Sequence, residues 1–414
     1  MNMLDGADKI VTWTASRRRS GTGSEGEVRK RVQRILERVE ADRDAAVRQL
    51  SKELDGVDLK VIGIKVFLDP KWKRDPLYAS LREAAARIWR LSVAQMPEEN
   101  VILRSKGYDA TVRSMPYKRI GVYVPGGTAG YPSTLLMCAI PARAAGVKEI
   151  VVCTPKPTRA LMMAAQIAGL RMVYRVGGAQ AIAAMAYGTL TIPRVEKVVG
   201  PGNAYVTEAK IALRDRVDID MPAGPSEVVV VADGSSDPEL IALDLLAQAE
   251  HGPGGMCLCV CTSRSMAKRV EKALGSEIKR AKGLPVWVGK NIAISLVKTL
   301  DEAIDLANEL APEHVSVACA DAGKIAERIT VAGTVCVGKD TAVAFGDYSA
   351  GVNHVLPTGG AARTRGGLSV RDFLRQVQYL RVSDPGPLAS VGMEIARAEG
   401  FAFHEASMRK RKGR

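Results

Sequence analysis

Short runs of β-branched residues alternate with alanine-rich stretches of helical length from about Arg119 onward. The runs are Ile120–Val124, Glu149–Cys153, Met172–Val176, Val195–Val199 and Glu227–Ala232, and the stretches between them are Thr134–Ala145, Ala160–Ala168, Ala179–Tyr187 and Ala204–Leu213. A second set begins near Cys257 and includes Val315–Cys319 and Thr334–Val337. Because strands that alternate with helices build parallel sheets, this order predicts an α/β fold with mostly parallel sheets.

The segments on either side of this pattern are predicted to be helical. Ser24 and Glu27 have the spacing of a capping box, and apolar residues follow at helical intervals from Val28 to Val39. A second helix is predicted to start at Pro76 and to stop before Pro97. The C-terminal segment is also predicted to be helical, and it ends in a basic tail.

Length and composition exclude several classes of protein. With 414 residues, 47% of them apolar and 25% charged, the chain is long enough for roughly two or three domains, and disorder as its main state is excluded. No apolar run is long enough to cross a bilayer. Residues 1–13 carry Asp5 and Asp8 and lack the apolar core of a signal peptide, so we expect a cytoplasmic protein.

The cysteines are odd in number and form no CxxC pair; they lie at positions 138, 153, 257, 259, 261, 319 and 336. Reduced thiols in a cytosolic protein are the expected state. Cys257, Cys259 and Cys261 share one predicted strand face, where buried thiols are favoured over a soft metal site. Cys319 and Cys336 lie in apolar strands without an adjacent cation, so we interpret them as structural and not as nucleophiles.

The net charge is +14, from 59 basic and 45 acidic residues. Arg17, Arg18 and Arg19 form one basic cluster, and the tail residues Arg409, Lys410, Arg411, Lys412 and Arg414 form another. A basic surface can attract nucleic acid or anionic metabolites, but aromatic residues make up only 5% and do not interleave with either cluster. We therefore interpret both clusters as exposed, solvated ends, with nucleic-acid binding as the less favoured alternative.

Glycine-rich turns follow several predicted strands, at Pro125–Gly127, Gly177–Gly178, Gly200–Gly202 and Ala223–Ser226. Ligands of open α/β sheets bind beyond the carboxyl ends of strands, so the set of turns indicates a nucleotide-sized ligand. Neither the dinucleotide GxGxxG fingerprint nor the Walker phosphate-binding pattern fits these turns. Each turn by itself is also compatible with an ordinary reversal of the chain.

The four histidines all lie after residue 250, and each has a polar neighbour: His251, His314, His354 and His404. In a chain otherwise without histidine, this distribution indicates parts of one site. Gln248 and His251 project together from the predicted end of a helix, where an amide oxygen and an imidazole can ligate a divalent metal. An exposed polar pair without a metal is the alternative.

Two further polar segments are candidates for the same site. Glu313 and His314 precede a predicted strand and could supply two proton-transfer groups, although solvated charges in a turn would give the same pattern. Asp347 and His354 lie in one polar loop, for which a merely solvated loop is the alternative.

Taken together, these residues closely resemble the histidinol dehydrogenase family. The strongest block is Ile219–Glu227 continuing to Gln248–His251, and further blocks are Gly121–Gly127, Gly200–Ala204, Ala311–His314, Gly346–Tyr348, Asn353–Thr358 and Glu399–His404. The resemblance covers about two thirds of the chain, and all four histidines fall on positions that the family uses. It implies two Rossmann-like domains with helical extensions, assembled as an intertwined homodimer.

The resemblance implies four parts along the chain. A helical extension occupies residues 1–116, and a first Rossmann-like domain that binds NAD occupies residues 117–228. A second Rossmann-like domain with the zinc and acid–base residues occupies residues 229–362, and a helical extension with the basic tail occupies residues 363–414. The active site would be shared between the subunits of the homodimer and would take a small amino alcohol. From the composition we expect no membrane partner, and nucleic-acid binding stays the less favoured alternative.

The resemblance also implies roles for individual residues. Zinc would be bound by Gln248, His251, Asp347 and His404, with His404 reaching in from the partner subunit, and NAD would contact Tyr123, Gln180 and Asn203. The amino alcohol would be held by Ser226, His354 and Glu399, beside the zinc ligands and His314. Glu313 and His314 would be the acid–base pair.

The implied reaction oxidises L-histidinol to the aldehyde and then to L-histidine, two NAD-linked steps that complete histidine biosynthesis. His314 suits removal of the hydroxyl proton near neutral pH, and Glu313 could activate water for addition to the aldehyde. The segment Gly366–Leu374 also resembles sulfopropanediol dehydrogenases, so another polar alcohol is one alternative substrate. A non-catalytic basic descendant that binds nucleic acid through its termini is the other alternative.

Overall fold

A computed structural model of the chain describes residues 2–5, 7–20, 25–67, 69–97, 100–126, 130–281 and 283–412. In chain order the strands are β1 (Asn2–Asp5), β2 (Gly63–Lys65), β3 (Asn100–Ser105), β4 (Tyr108–Pro116), β5 (Arg119–Tyr123), β6 (Glu149–Cys153), β7 (Met172–Tyr174), β8 (Lys197–Val199), β9 (Asp218–Ile219), β10 (Glu227–Ala232), β11 (Met256–Cys261), β12 (Ile292–Leu296), β13 (His314–Val317), β14 (Thr334–Val337) and β15 (Leu374–Val382). The α-helices are α1 (Ala7–Ser20), α2 (Glu25–Asp55), α3 (Pro76–Ala94), α4 (Pro132–Ala144), α5 (Arg159–Ile167), α6 (Gly178–Tyr187), α7 (Ala204–Ala212), α8 (Pro238–Ala249), α9 (Arg264–Arg280), α10 (Trp287–Asn291), α11 (Leu300–Leu310), α12 (Ala322–Ala326), α13 (Val343–Tyr348), α14 (Pro385–Ala398) and α15 (Ala402–Lys412). Short 3₁₀ helices span Pro70–Arg74, Ala361–Arg363 and Val370–Phe373.

The first sheet has the strand order β2–β7–β6–β5–β8–β9. Its strands are parallel except for β2, which pairs antiparallel with β7. Separate apolar clusters cover its two faces, one with α3, α4 and α5 and the other with α2, α6 and α7. Strands that are covered on both faces are apolar along their length, which explains the continuous β-branched runs in the sequence.

The second sheet has the strand order β1–β12–β11–β10–β13–β14 and is parallel throughout. One face packs against α8 and α9, and the other packs against α1, α11 and α12. Strand β10 begins at Glu227 and lies in this sheet, so the expected domain boundary at residue 228 falls inside a strand. The two sheets confirm the mostly parallel α/β fold predicted from the alternation of strands and helices.

A third, antiparallel sheet joins distant parts of the chain, in the order β15–β4–β3. Leu374 lies opposite Pro116, and Val382 lies opposite Tyr108. Beside the helices expected at both ends of the chain, β1 to β4 fall within residues 1–116 and β15 falls within residues 363–414, and these strands were not predicted. These strands form by pairing with partners far away in the sequence, which local periodicity does not reveal.

Helices α2 and α3 confirm the two helices predicted in the N-terminal segment. The apolar stripe from Val32 to Val39 is buried, as its spacing predicted. Ser24, the expected N-cap of the first of them, lies outside the described residues. Within the described ranges, we find no helix with the length and apolar character needed to span a membrane.

Candidate active site

A cleft of about 720 Å³ lies between the two parallel sheets. Residues after the carboxyl ends of β5 and β8 line one side, and residues before the amino ends of β10, β11 and β13 line the other. The predicted site residues on its wall are Asn203, Ser226, Gln248, His251, Glu313, His314, Asp347 and His354. These residues are spread over about 150 positions of the sequence, and the fold brings them together in one cleft.

Glu313 and His314 enter the cleft from the turn between α11 and β13. Helix α11 ends at Leu310, and Ala311 then adopts a left-handed conformation with φ of 47°, which is uncommon for a residue other than glycine. The side chain of Glu313 is 10% exposed and that of His314 is 5% exposed. The turn thus places a carboxyl and an imidazole side by side in a nearly dry setting.

Two neutral donors hold the Glu313 carboxyl. The backbone N–H of Glu227 donates to Oε2 over 2.9 Å, and Nε2 of Gln248 donates to the same oxygen over 3.3 Å. Burial raises the pKa of Glu313 to about 7, although the neighbouring His314 opposes the shift. A carboxyl with this pKa can both accept and release a proton near neutral pH, as general acid–base chemistry requires.

The His314 ring has a partner at each nitrogen. Nδ1 lies 3.3 Å from the backbone oxygen of Glu227, and Nε2 lies 3.7 Å from Oδ1 of Asp347. Because a carbonyl oxygen can only accept, Nδ1 carries the proton and Nε2 faces the carboxylate. Burial lowers the pKa of His314, but the carboxylates of Asp347 and Glu313 outweigh this effect, so the pKa is raised overall.

Three candidate metal ligands border the same cleft. Helix α8 begins at the N-cap Asp237 and places Gln248 in its last turn, and His251 follows just after the helix ends. Nδ1 of the exposed His251 lies 3.3 Å from the backbone oxygen of Gln248, and the side chain of Asp347 is 15% exposed. An amide oxygen, an imidazole and a carboxylate are ligands that fit Zn²⁺.

Glu399 and His404 do not reach this cleft. Both lie on the exposed hairpin of α14 and α15, where the ring of His404 packs 5.2 Å from that of Phe401. Over the described ranges, no three His, Cys, Asp or Glu side chains are grouped so that they could hold a metal ion. Of the four expected zinc ligands, Gln248, His251 and Asp347 line the cleft of this chain and His404 does not.

His354 is fixed by two hydrogen bonds at the edge of the cleft. Nδ1 donates to the backbone oxygen of Asp347 over 2.8 Å, and Nε2 accepts from Oγ1 of Thr134 over 3.2 Å. Burial lowers the pKa of His354, which favours the neutral ring. Ser226 lies nearby in the chain segment that leads into β10 and is half-buried. Both residues are placed to contact a ligand in the cleft.

Of the three expected NAD contacts, only Asn203 lines the cleft. Tyr123 is buried at the end of β5, and its hydroxyl accepts from the backbone N–H of Gly178 over 3.1 Å. Gln180 is buried in α6, where Nε2 donates to Asp55 over 3.0 Å. Its Oε1 is buried without a hydrogen-bond partner in the described part of the chain. The carboxyl edge of the first sheet thus holds an unsatisfied acceptor that a hydroxyl or amino group of a nucleotide would satisfy.

Several residues around the site were not predicted from the sequence. Tyr131 and Tyr348 are exposed side chains that line the cleft. The carboxylate of Glu227 pairs with Arg18, with Nε 2.7 Å from Oε1. The interpretation of the first basic cluster as a solvated end was therefore wrong for Arg18, whose side chain is 23% exposed. Glu227 lay within the strongest sequence block, but no local signal pointed to a partner 209 residues away.

The cysteines play no part in the cleft. All seven are buried and free. Burial raises the pKa of Cys319 to about 12 and that of Cys336 to about 11, so both thiols stay protonated near neutral pH. The burial of both thiols agrees with their interpretation as structural residues.

Two mostly parallel sheets with a cleft between them, and a buried carboxyl–imidazole pair in that cleft, are typical of an α/β enzyme. Comparison with known proteins identifies the family. The family model described as histidinol dehydrogenase matches residues 17–412. The chain therefore belongs to the histidinol dehydrogenase family.

Individual relatives agree along almost the whole chain. The histidinol dehydrogenase of Methanopyrus kandleri is 41% identical over 406 residues, which cover 93% of this chain and 94% of the relative. That of Methanosarcina mazei is 39% identical over 395 residues, which cover 92% and 91%. The crystal structure of histidinol dehydrogenase from Elizabethkingia anophelis superposes with a TM-score of 0.91 at 30% identity, over 99% and 98% of the two chains.

Proposed function

We propose that this enzyme uses zinc and NAD to oxidise L-histidinol through the aldehyde to L-histidine, the last steps of histidine biosynthesis. The observation that carries the proposal is the buried pair of Glu313 and His314 in the same cleft as Gln248, His251 and Asp347. The substrate is inferred from the relatives, which are named histidinol dehydrogenases and match almost the whole chain.

The first oxidation requires a base for the hydroxyl proton of the substrate. His314 takes this role because the Glu227 carbonyl engages Nδ1 and leaves Nε2 to accept the proton. Asp347, 3.7 Å from Nε2, stabilises the imidazolium that results. NAD, when bound, supplies the hydride acceptor, and Tyr123, Gln180 and Asn203 would hold it at the carboxyl edge of the first sheet.

The second oxidation requires water to add to the aldehyde. Glu313 takes a proton from that water, and its pKa of about 7 leaves a substantial carboxylate fraction near neutral pH. The N–H groups of Glu227 and Gln248 both bind Oε2, so the carboxyl keeps one orientation while Oε1 remains for the proton. The two residues of the pair thus have separate tasks in successive steps.

Gln248, His251 and Asp347 would hold zinc together with His404 of the partner subunit. When bound, zinc would orient the substrate by binding the imidazole and amine nitrogens of the amino alcohol. Ser226 and His354 would complete the substrate site from this chain. Glu399 precedes His404 on the same hairpin, so the partner would bring both residues to the cleft.

A homodimer with shared sites is supported by the surface of the C-terminal segment. Exposed apolar side chains lie along the hairpin and β15; they are Leu380, Val391, Ile395, Phe401 and Phe403. An apolar surface of this kind on a monomer indicates a face that another chain covers. The buried free thiols support a cytoplasmic location, where cysteines stay reduced.

A substrate comparison tests this function. Zinc-loaded protein and NAD are supplied with either L-histidinol or a sulfonated propanediol, and the formation of NADH is followed by its absorbance. We expect NADH from L-histidinol alone. If only the sulfonated diol gives NADH, the enzyme is a sulfopropanediol dehydrogenase and the proposed substrate is wrong. If neither compound gives NADH, the proposed chemistry is wrong.

A further inference from the structure

The backbone of one residue, Glu227, holds both members of the acid–base pair. Its N–H donates to Oε2 of Glu313 over 2.9 Å, and its oxygen accepts from Nδ1 of His314 over 3.3 Å. The side chain of Glu227 is 2% exposed, and Glu227 is not among the described residues that line the cleft. The position of the pair therefore depends on how this buried residue is itself held.

Arg18 of α1 fixes the Glu227 carboxylate through a forked ion pair. Nε lies 2.7 Å from Oε1, and Nη2 lies 3.2 Å from Oε2. Nη2 also donates over 2.7 Å to the backbone oxygen of Leu310, the last residue of α11. A single guanidinium therefore joins the start of β10 to the helix end that leads into Glu313. The planar fork of arginine matches this geometry, which an ammonium group cannot reproduce.

The turn between α11 and β13 depends on such a restraint. Ala311 adopts φ of 47° and ψ of 56°, a conformation that a residue with a Cβ keeps only where its surroundings hold it. On the β14 side, Gly333 donates to the oxygen of Pro312 over 3.0 Å, and Thr334 donates to that of Glu313 over 2.9 Å. Arg18 holds the other side of the turn, at the helix end.

Helix α1 is itself anchored in the second sheet. Strand β1, directly before it, pairs in parallel with β12, and Ile10 is fully buried. The neighbouring Arg17 donates to Oδ1 of Asn291 over 2.7 Å. Nδ2 of Asn291 in turn donates to the backbone oxygens of Ala249 and Gly252, on either side of a candidate metal ligand. Helix α1 therefore contacts both Glu227, which holds the acid–base pair, and Asn291, which holds the backbone around the candidate metal ligand His251.

We propose that Arg18 is a positioning residue for the reaction, which acts through Glu227 to hold Glu313 and His314 in place for proton transfer. The inference rests on the proposed role of this pair as the acid and base. Without the guanidinium, the Glu227 carboxylate loses its only described ionic partner, and the peptide group that holds the pair can shift. A displacement of this kind slows proton transfer more than it weakens substrate binding.

Steady-state kinetics of the zinc-loaded full-length protein give the first readout. For Arg18→Met we expect kcat with L-histidinol to fall by about tenfold or more, while KM stays within about twofold. Arg18→Lys should regain part of the lost kcat, because it restores the charge but not the fork. A KM increase as large as the loss in kcat would contradict a positioning role.

Arg38→Met is the matched control for these variants. Arg38 forms a similar fork with Glu53, at 2.8 and 3.1 Å, but on the exposed surface of α2. This control should leave kcat and KM unchanged. An Arg18→Met variant that is folded and as active as Arg38→Met would overturn the proposal.

A second readout requires no turnover. Protein labelled with ¹⁵N in its four histidines gives NMR signals from the ring nitrogens. The signals that disappear in His314→Asn are those of His314. Arg18→Met should shift the His314 signals, because the hydrogen bond to the Glu227 carbonyl changes, and Arg38→Met should leave all signals in place. If Arg18→Met does not fold, Glu227→Gln replaces it, since the amide weakens the ion pair but keeps hydrogen-bonding atoms for Arg18.

The two readouts separate this inference from the proposed function. Wild-type protein that forms no NADH from L-histidinol would refute the proposed function, while the His314 signals would still report whether Arg18 holds the ring. Active wild-type protein whose His314 signals are unmoved by Arg18→Met would refute the positioning role alone.

Discussion

Burial has different consequences for two carboxyl groups of this molecule, Glu313 and Asp244. It raises the pKa of Glu313 to about 7 and that of Asp244 to about 6. Glu313 borders the cleft beside His314, where a pKa near neutral suits proton transfer. Asp244 lies on α8 and accepts from the backbone N–H of Val343, and it is not among the described residues of the cleft wall. Burial of the Asp244 carboxyl therefore lowers the free energy of unfolding when the group is ionised.

Glu313→Gln should separate the two oxidation steps. Glutamine keeps the shape and can still accept from Glu227, but it cannot take a proton from water. We expect the oxidation of the aldehyde to slow by about a hundredfold and that of the alcohol by less than about tenfold. Rates measured separately with L-histidinol and with the aldehyde test this, and equal slowing of both steps would contradict the water-activating role.

Asp244→Asn should stabilise the protein at high pH only. The pKa of Asp244 is about 6 in the folded protein and near 3.8 when unfolded, so ionisation favours the unfolded state. This cost is absent below about pH 4, grows between about pH 4 and 6, and is fully present above. We expect the variant to gain about 1 kcal/mol of unfolding free energy at pH 8, because the group is only half-buried, and nothing at pH 4. Urea unfolding at the two pH values is the measurement, and an equal gain at both would refute the explanation.

At the scale of elements, the periodicity of apolar residues predicted helices and strands that have a local sequence pattern. It did not predict strands that form only by pairing with distant parts of the chain. Eight of the twelve described strands of these two sheets were predicted, because their apolar runs are buried on both faces, whereas β1, β2, β9 and β12 were not. Strand β15 was missed because β4, its partner, lies far away in the chain and its side chains are mostly exposed. Contacts such as that of Arg18 with Glu227 likewise exist only once the sheets have assembled.

The candidate site shows the same division between local and long-range information. Gln248 and His251 were placed together because a helix end fixes both. Their grouping with Glu313, Asp347 and His354 was indicated by the restriction of all histidines to the chain after residue 250 and by the family resemblance, since no spacing in the chain links them. Residues after the carboxyl ends of strands in the first sheet border the cleft, whereas the second sheet borders it with residues before the amino ends of its strands.

A buried ion pair fastens helix α7 to the first sheet. Nζ of Lys210 pairs with Asp220 and donates to the oxygen of Gly200 over 2.8 Å, and the two charged side chains are 2% and 1% exposed. Lys210→Met leaves a buried carboxylate without its cation, so we expect a loss of about 3–5 kcal/mol in unfolding free energy. Denaturant unfolding checks this value.

Lys197→Met provides the comparison for this prediction. Lys197 pairs with Asp218 over 2.7 Å in the same sheet, but the side chain of Asp218 is 47% exposed and water can solvate it. We expect a loss below about 1 kcal/mol. Similar losses in Lys210→Met and Lys197→Met would show that burial of the carboxylate does not set the cost.

At the scale of the whole molecule, the C-terminal hairpin decides whether sites are shared. A mixture of His404→Ala and Glu313→Ala chains forms mixed dimers in which one of the two sites keeps both residues, if His404 comes from the partner subunit. Random mixing should then restore about a quarter of the wild-type activity, from half of the dimers with one intact site each. Activity no higher than that of either variant alone would indicate that each subunit contains its own complete site.

The proposed double oxidation at one site is best tested by counting the NADH formed per L-histidinol consumed. Zinc-loaded protein is given limiting L-histidinol and excess NAD, and the products are identified by chromatography. We expect two NADH for each L-histidinol, with L-histidine as the product. A single NADH with accumulated aldehyde, or no NADH at all, would contradict it.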